Sequence, residues 1–141
     1  MIPDESSAAP ATGSGRAALL STAAQSSLGA DSGIEFWRGF DPAAVGTPVF
    51  LARALAAAGT RIPPHWHSED TVAYLVSGHA AFRSGESLEQ THELAAGDWL
   101  FVPAGMVHVE ETPSDVHGEF LYARAGGGGT TTYVEDVRPD A

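Results

Sequence analysis

Turn-forming residues recur so closely in the middle of this chain that no helix of ordinary length fits between them. Gly59, Pro63-Pro64, Ser77-Gly78, Gly85, Gly97-Asp98, Pro103-Ala104-Gly105 and Pro113-Ser114-Asp115 separate apolar stretches of four to seven residues. Short stretches without helical periodicity predict strands, and many such strands close into an all-β sandwich or barrel. The expected strands are 49–55, 72–76, 80–83, 99–102, 107–111 and 120–124. Residues 52–58 also suit a helix of one or two turns ending at Gly59. After the glycine run 126–129, the run 130–134 (Thr-Thr-Thr-Tyr-Val) suits a strand returning to the sheet.

A chain of 141 residues can build one domain with a real core, and is short for two. Residues 1–33 are rich in Ala, Ser, Gly and Thr and hold no aromatic residue. They bury too little apolar area to offset their ordering entropy, so they are read as a mobile or loosely docked N-terminal arm. Within the arm, 16–28 is compatible with a short helix. The domain is expected over 34–141.

Eighteen acidic residues against seven basic ones leave a net charge of −11, with no lysine. That balance excludes nucleic acid and anionic membrane surfaces as partners. No apolar run approaches the ~20 residues that cross a bilayer. The N-terminus is acidic at Asp4 and Glu5, where an export signal needs positive charge, so a cytoplasmic setting is expected. Without cysteine, any metal must be held by nitrogen and oxygen.

Ser77-Gly78 suits a two-residue hairpin turn, which would put Thr71, Ala73, Leu75, Ala80 and Phe82 on an inner face and turn His79 outward. His65 and His67, two apart on a strand, share one face and can converge on one ion. Alone, such a pair equally suits two hydrogen-bonded surface histidines.

The pair is not alone. Gly59, His65, His67 and Gly78 are followed by Gly97, Pro103, Gly105 and His108, and the sequence here resembles the cupin superfamily. Its motifs read G-x5-H-x-H-x3-4-E-x6-G and G-x5-P-x-G-x2-H-x3-N, and these eight positions agree in spacing. The segment 85–89, with Gly97-Asp98 and Tyr122-Ala123-Arg124, is also similar to small single-domain bacterial cupins. The resemblance implies a jelly-roll β-barrel in which His65, His67 and His108 bind one divalent metal ion. Two positions depart from it: Thr71 stands where the motif has its glutamate, and Thr112 where it has asparagine. Asp70 or His117 could supply a further ligand instead. If the face shared by His117, Glu119 and Leu121 is interior, Glu119 could serve as an acid or base; a polar pair at the rim is the alternative. Glu69 and His92 are expected in solvent.

Imidazole ligands suit zinc, iron(II), nickel or manganese, and a three-His set without the glutamate favours zinc as a Lewis acid. Ala73, Leu75 and Phe82, with Trp66, Trp99, Phe101, Met106 and Leu121, are candidate cavity walls. Arg53 is the arginine expected near the interior strands, so a small keto-bearing or phenolic substrate fits better than a phosphorylated sugar. Similarity to the cupin polyketide cyclases implies aldol-type ring closure, as in antibiotic biosynthesis. A three-His iron dioxygenase and a non-catalytic small-molecule-binding cupin are the alternatives. Small cupins are commonly dimers, and a homodimer is expected.

Overall fold

The computed structural model describes residues 26–31, 33–39 and 42–135. Ten strands and one short helix follow in the order β1 (Ser26–Asp31), β2 (Ile34–Arg38), α1 (Pro42–Val45), β3 (Val49–Ala56), β4 (Arg61–His67), β5 (Thr71–Ser84), β6 (Gln90–Ala95), β7 (Trp99–Val102), β8 (His108–Glu111), β9 (Gly118–Ala125) and β10 (Thr131–Tyr133). All pairings are antiparallel. One wall runs β1-β2-β3-β9-β5, with β7 beyond; the other runs β10-β4-β8-β5, with β6 beyond. The expected all-β jelly-roll is therefore the fold. No helix among the described residues is long and apolar enough to cross a membrane.

The two walls share β5, and here the structure corrects the expected hairpin. Ser77-Gly78 is no turn: the strand runs unbroken for 14 residues. One extra residue is inserted between Leu75 and Ser77 opposite β9, a β-bulge. The bulge flips the alternation, so Leu75 before it and Ala80 and Phe82 after it all point inward and are buried. A two-residue hairpin shifts the phase in the same sense, which is why the inner face was predicted correctly from the wrong turn. Gly78 is required at this point. Its φ is +84°, and a Cβ there would lie 1.7 Å from the His117 carbonyl oxygen.

β3 runs through Ala56, so the strand reading of 52–56 holds against the helix. Phe50, Ala52, Ala54 and Ala56 alternate inward, and Leu51 is exposed. Small alanines on this face leave room for a cavity rather than filling the barrel. β6 was not anticipated, because Gln90–Ala95 buries only Leu94 and otherwise reads as polar loop. The sheet also begins before residue 34, with Ser26–Asp31 paired to β2. The last residues of the 16–28 segment are thus strand; residues 1–25 lie outside the described part.

Trp99 (71 % exposed), Phe101 (59 %), Met106 and Leu121 lie on the outside, not on the cavity wall. Their large apolar side chains suggested the interior, but the phase of β7 turns Leu100 and Val102 inward instead. Trp66 does not line the cavity either. Arg53 is also outside, its guanidinium 4.7 Å above the Trp37 ring.

Candidate metal centre

The barrel encloses a cavity of about 310 Å³, at the lower end for small-molecule sites. His65, His67 and His108 are buried and reach it together, with one potential ligand atom from each lying within 4.8 Å of the others. Local sequence explains the convergence. Opposite β8, the strand β4 gains one residue between Ile62 and His65, where Pro63 and Pro64 have no N–H to give the ladder. This bulge lets Ile62 and His65 both face inward, and His67 follows two residues on. His108 is the direct cross-strand partner of His65, with ring centroids 4.2 Å apart.

Hydrogen bonds fix how each ring is presented. His65 Nδ1 donates to the Pro63 carbonyl (2.7 Å), and His108 Nδ1 donates to the Met106 carbonyl (3.0 Å). Each ring is thereby held with Nε2 turned toward the cavity. Arg124 Nη2 lies 3.1 Å from His67 Nε2. A guanidinium can only donate, so Nε2 is the acceptor and the His67 proton sits on Nδ1, donated to Thr131 Oγ1 at 2.9 Å. Anchoring the far nitrogen in this way is how proteins orient metal-binding imidazoles. Burial is also the leading reason why His65 and His67 protonate with difficulty. It lowers His65, and together with the Arg124 guanidinium it brings His67 down to about 3.

Ligands of one tetrahedral ion at ~2.1 Å lie about 3.4 Å from each other, so modest ring rotations would bring the three nitrogens to bonding distance. The donor set fits a divalent ion that accepts neutral imidazole.

Glu110 and Arg124 complete the polar part of the cavity, and both went unnoticed in the sequence. Glu110 stands two residues after His108 on β8, and its Oε1 lies 3.4 Å from His108 Nε2. Burial alone would raise the Glu110 carboxyl, but the His108 hydrogen bond and the three imidazoles outweigh it and bring it down to about 2. The same i, i+2 rule that paired His65 with His67 would have found this residue. Arg124 stands on β9, where Nε donates to Thr71 Oγ1 at 2.8 Å and the guanidinium lies 4.8 Å above the Tyr122 ring. Thr71, in place of the motif's glutamate, thus holds an arginine.

The other candidate residues do not reach the cluster. Asp70 is exposed, and its Oδ1 accepts from the Ala104 backbone N–H at 2.8 Å, pinning the loop before β8. His117 is exposed and bonded to Ser77 Oγ at 3.2 Å. Glu119 follows on the outer side of β9, since Phe120, Tyr122 and Arg124 take the inner one. Glu69 is half-buried and His92 exposed.

Comparison with known proteins agrees with this architecture. Residues 53–124 match a family model described as a cupin domain. No curated protein matches the sequence. Among solved structures, the polyketide cyclase RemF from Streptomyces resistomycificus superposes with a TM-score of 0.71 at 16 % identity, covering 86 % of this chain and 90 % of that one. An oxalate decarboxylase gives 0.65 at 22 % identity, over 78 % of this chain and 30 % of that one. For an oxalate oxidase the values are 0.62 and 18 %, over 74 % and 57 %. At these identities the likeness is one of fold, and the chain spans only part of the two oxalate enzymes.

Proposed function

The chain belongs to the cupin domain family, and on that premise we propose that it is a metal-dependent enzyme acting on a small, mostly apolar keto-bearing or phenolic substrate. The reaction we favour is aldol-type ring closure of the kind a polyketide cyclase performs. The observation that carries this reading is the presentation of three imidazoles, each tied back through Nδ1, toward one point of a largely apolar cavity. Bound there, a divalent ion (zinc by preference, with iron(II), nickel or manganese also suited) would supply Lewis acidity for a carbonyl or enolate oxygen.

The chain's own residues do the rest. Phe50, Phe82 and Leu100 line the cavity and exclude water, which strengthens every charge interaction inside it. Arg124 places a positive charge beside His67 for a developing oxyanion, and Glu110 places a carboxylate beside His108. The overall fold likeness to RemF is consistent with this chemistry. We further propose a cytoplasmic homodimer.

Metal analysis of protein purified without added metal tests the reading. Stoichiometric zinc, lost in His65→Ala and His108→Ala, without oxygen uptake on keto-substrates, supports it. Iron with substrate-dependent oxygen uptake would replace it by a three-His dioxygenase. Failure to bind any metal after reconstitution would leave a non-catalytic binding cupin. Size-exclusion chromatography of the full chain settles the dimer.

A further inference from the structure

Arg124 is a cation on the cavity wall with no ion-pair partner among the described residues. Its partners are a hydroxyl, an imidazole nitrogen and a ring face, namely Thr71, His67 and Tyr122. No carboxylate lies within ion-pair distance of it among the described residues. The contrast within the molecule is direct: Arg61 and Arg83 both face Glu111, at 3.6 and 3.1 Å. Glu110 is engaged by His108 instead, and acts on Arg124 through its field without an ion pair. Holding a half-buried charge without an ion-pair partner is costly, so its retention on a largely apolar cavity wall points to a partner from outside.

The shape around it narrows that partner. Nε is fixed on Thr71, whereas Nη1 has no hydrogen-bond partner among the described residues. Nη2 is engaged only by His67 Nε2, the very atom a metal would claim. A carboxylate fits the fork of Nη1 and Nη2 with two parallel bonds. Beneath the guanidinium, Tyr122 packs edge-on against Phe36, with centroids 6.5 Å apart, and lies 6.1 Å from Phe50; all three line the cavity. Flat apolar faces next to a positive fork are complementary to a planar acid, and about 310 Å³ limits its size. The net charge of −11 repels anions in general, so an acid would be held by this local feature and not by the field of the whole chain.

Resting on the reading of the cavity as a substrate site, we propose that Arg124 makes it a site for a compact aromatic or cyclic acid, carboxylate on the guanidinium and ring on Phe36, Phe50 and Tyr122. The test uses benzoate as the probe and benzamide as its neutral counterpart. Calorimetric titration is run on the full chain, zinc-loaded and chelator-treated, with metal content measured on each sample. Benzoate should bind at least about tenfold more tightly than benzamide, the scale of a hydrogen bond to a charged group. Arg124→Gln should remove that preference, and Arg124→Lys, which keeps charge but not the fork, should fall between. Benzamide binding as well as benzoate in the wild type, or Arg124→Gln holding benzoate as tightly as the wild type, would overturn the proposal. The chelator-treated arm separates the two readings. A preference that persists in protein unable to hold zinc sustains the acid site and sinks the metal-dependent function.

Discussion

Of the three imidazole anchors, only one can be removed by mutation. His65 and His108 lean on backbone carbonyls, whereas His67 leans on the hydroxyl of Thr131. Thr131 is exposed on the three-residue strand β10, directly opposite His67 in the register. Thr131→Val keeps the β-branched shape and strand preference and deletes only the acceptor at 2.9 Å. The His67 Nδ1–H then has no acceptor, and only the Arg124 donation to Nε2, which a bound metal would displace, still favours the proton on Nδ1. Every molecule in which the proton moves to Nε2 loses the lone pair a metal needs. Loss of such an outer partner weakens metal affinity about 10- to 100-fold, or roughly 1.4–2.8 kcal/mol at about 1.4 kcal/mol per decade. An exposed edge position should change folding stability by no more than about 1 kcal/mol. Zinc competition against a chromophoric chelator, with urea unfolding in parallel, measures both quantities. Thr131→Ser should restore wild-type affinity. A Thr131→Val protein that holds zinc within twofold of wild type would refute the claim that this hydroxyl orients His67.

Other expected outcomes follow from the same geometry. Gly78→Ala combines a left-handed φ, costing about 1–2 kcal/mol, with a Cβ driven into the His117 carbonyl; urea unfolding should show a loss above about 3 kcal/mol, and a loss below 1 would mean that β5 is not bulged as described. Asp70→Asn and His117→Ala should leave zinc content unchanged, since neither side chain reaches the cluster; a loss of zinc in either would place it in the metal site. In metal-free protein, His67 titrates at about 3 when folded and near 6.5 when unfolded. Between these values the unfolded chain binds more protons, so stability should fall as pH drops from 6.5 toward 3, by about 1.4 kcal/mol per unit at most from this group. Flat stability over that window in chemical denaturation would contradict the neutral, buried ring.

The barrel and its histidine triad were legible because their signals are local. Turn residues delimit the strands, and i, i+2 spacing puts His65 and His67 on one face whatever else the chain does. What escaped depends on pairing between distant segments. β9 offers two faces of similar character, one with His117, Glu119 and Leu121, the other with Phe120, Tyr122 and Arg124. Its register against β3 and β5 decides between them, and a shift of one residue exchanges the faces entirely. The choice of hairpin or bulge at Gly78 is of the same kind, since either uses a glycine with positive φ and the deciding neighbour is Gly118, 40 residues on. Glu110 is a different case, since its spacing to His108 is local and visible in the sequence.

The continuity of β5 also bears on how a ligand gets in and out. One strand hydrogen-bonds to β9 in its first half and to β8 in its second, so the two walls cannot swing apart like a clamshell without tearing a ladder. Gly127, Gly128 and Gly129 and the three-residue β10 border the cavity, and a ligand is expected to pass at that border. Residence time should therefore answer to changes in that glycine rim, and be indifferent to substitutions that loosen the seam between the walls.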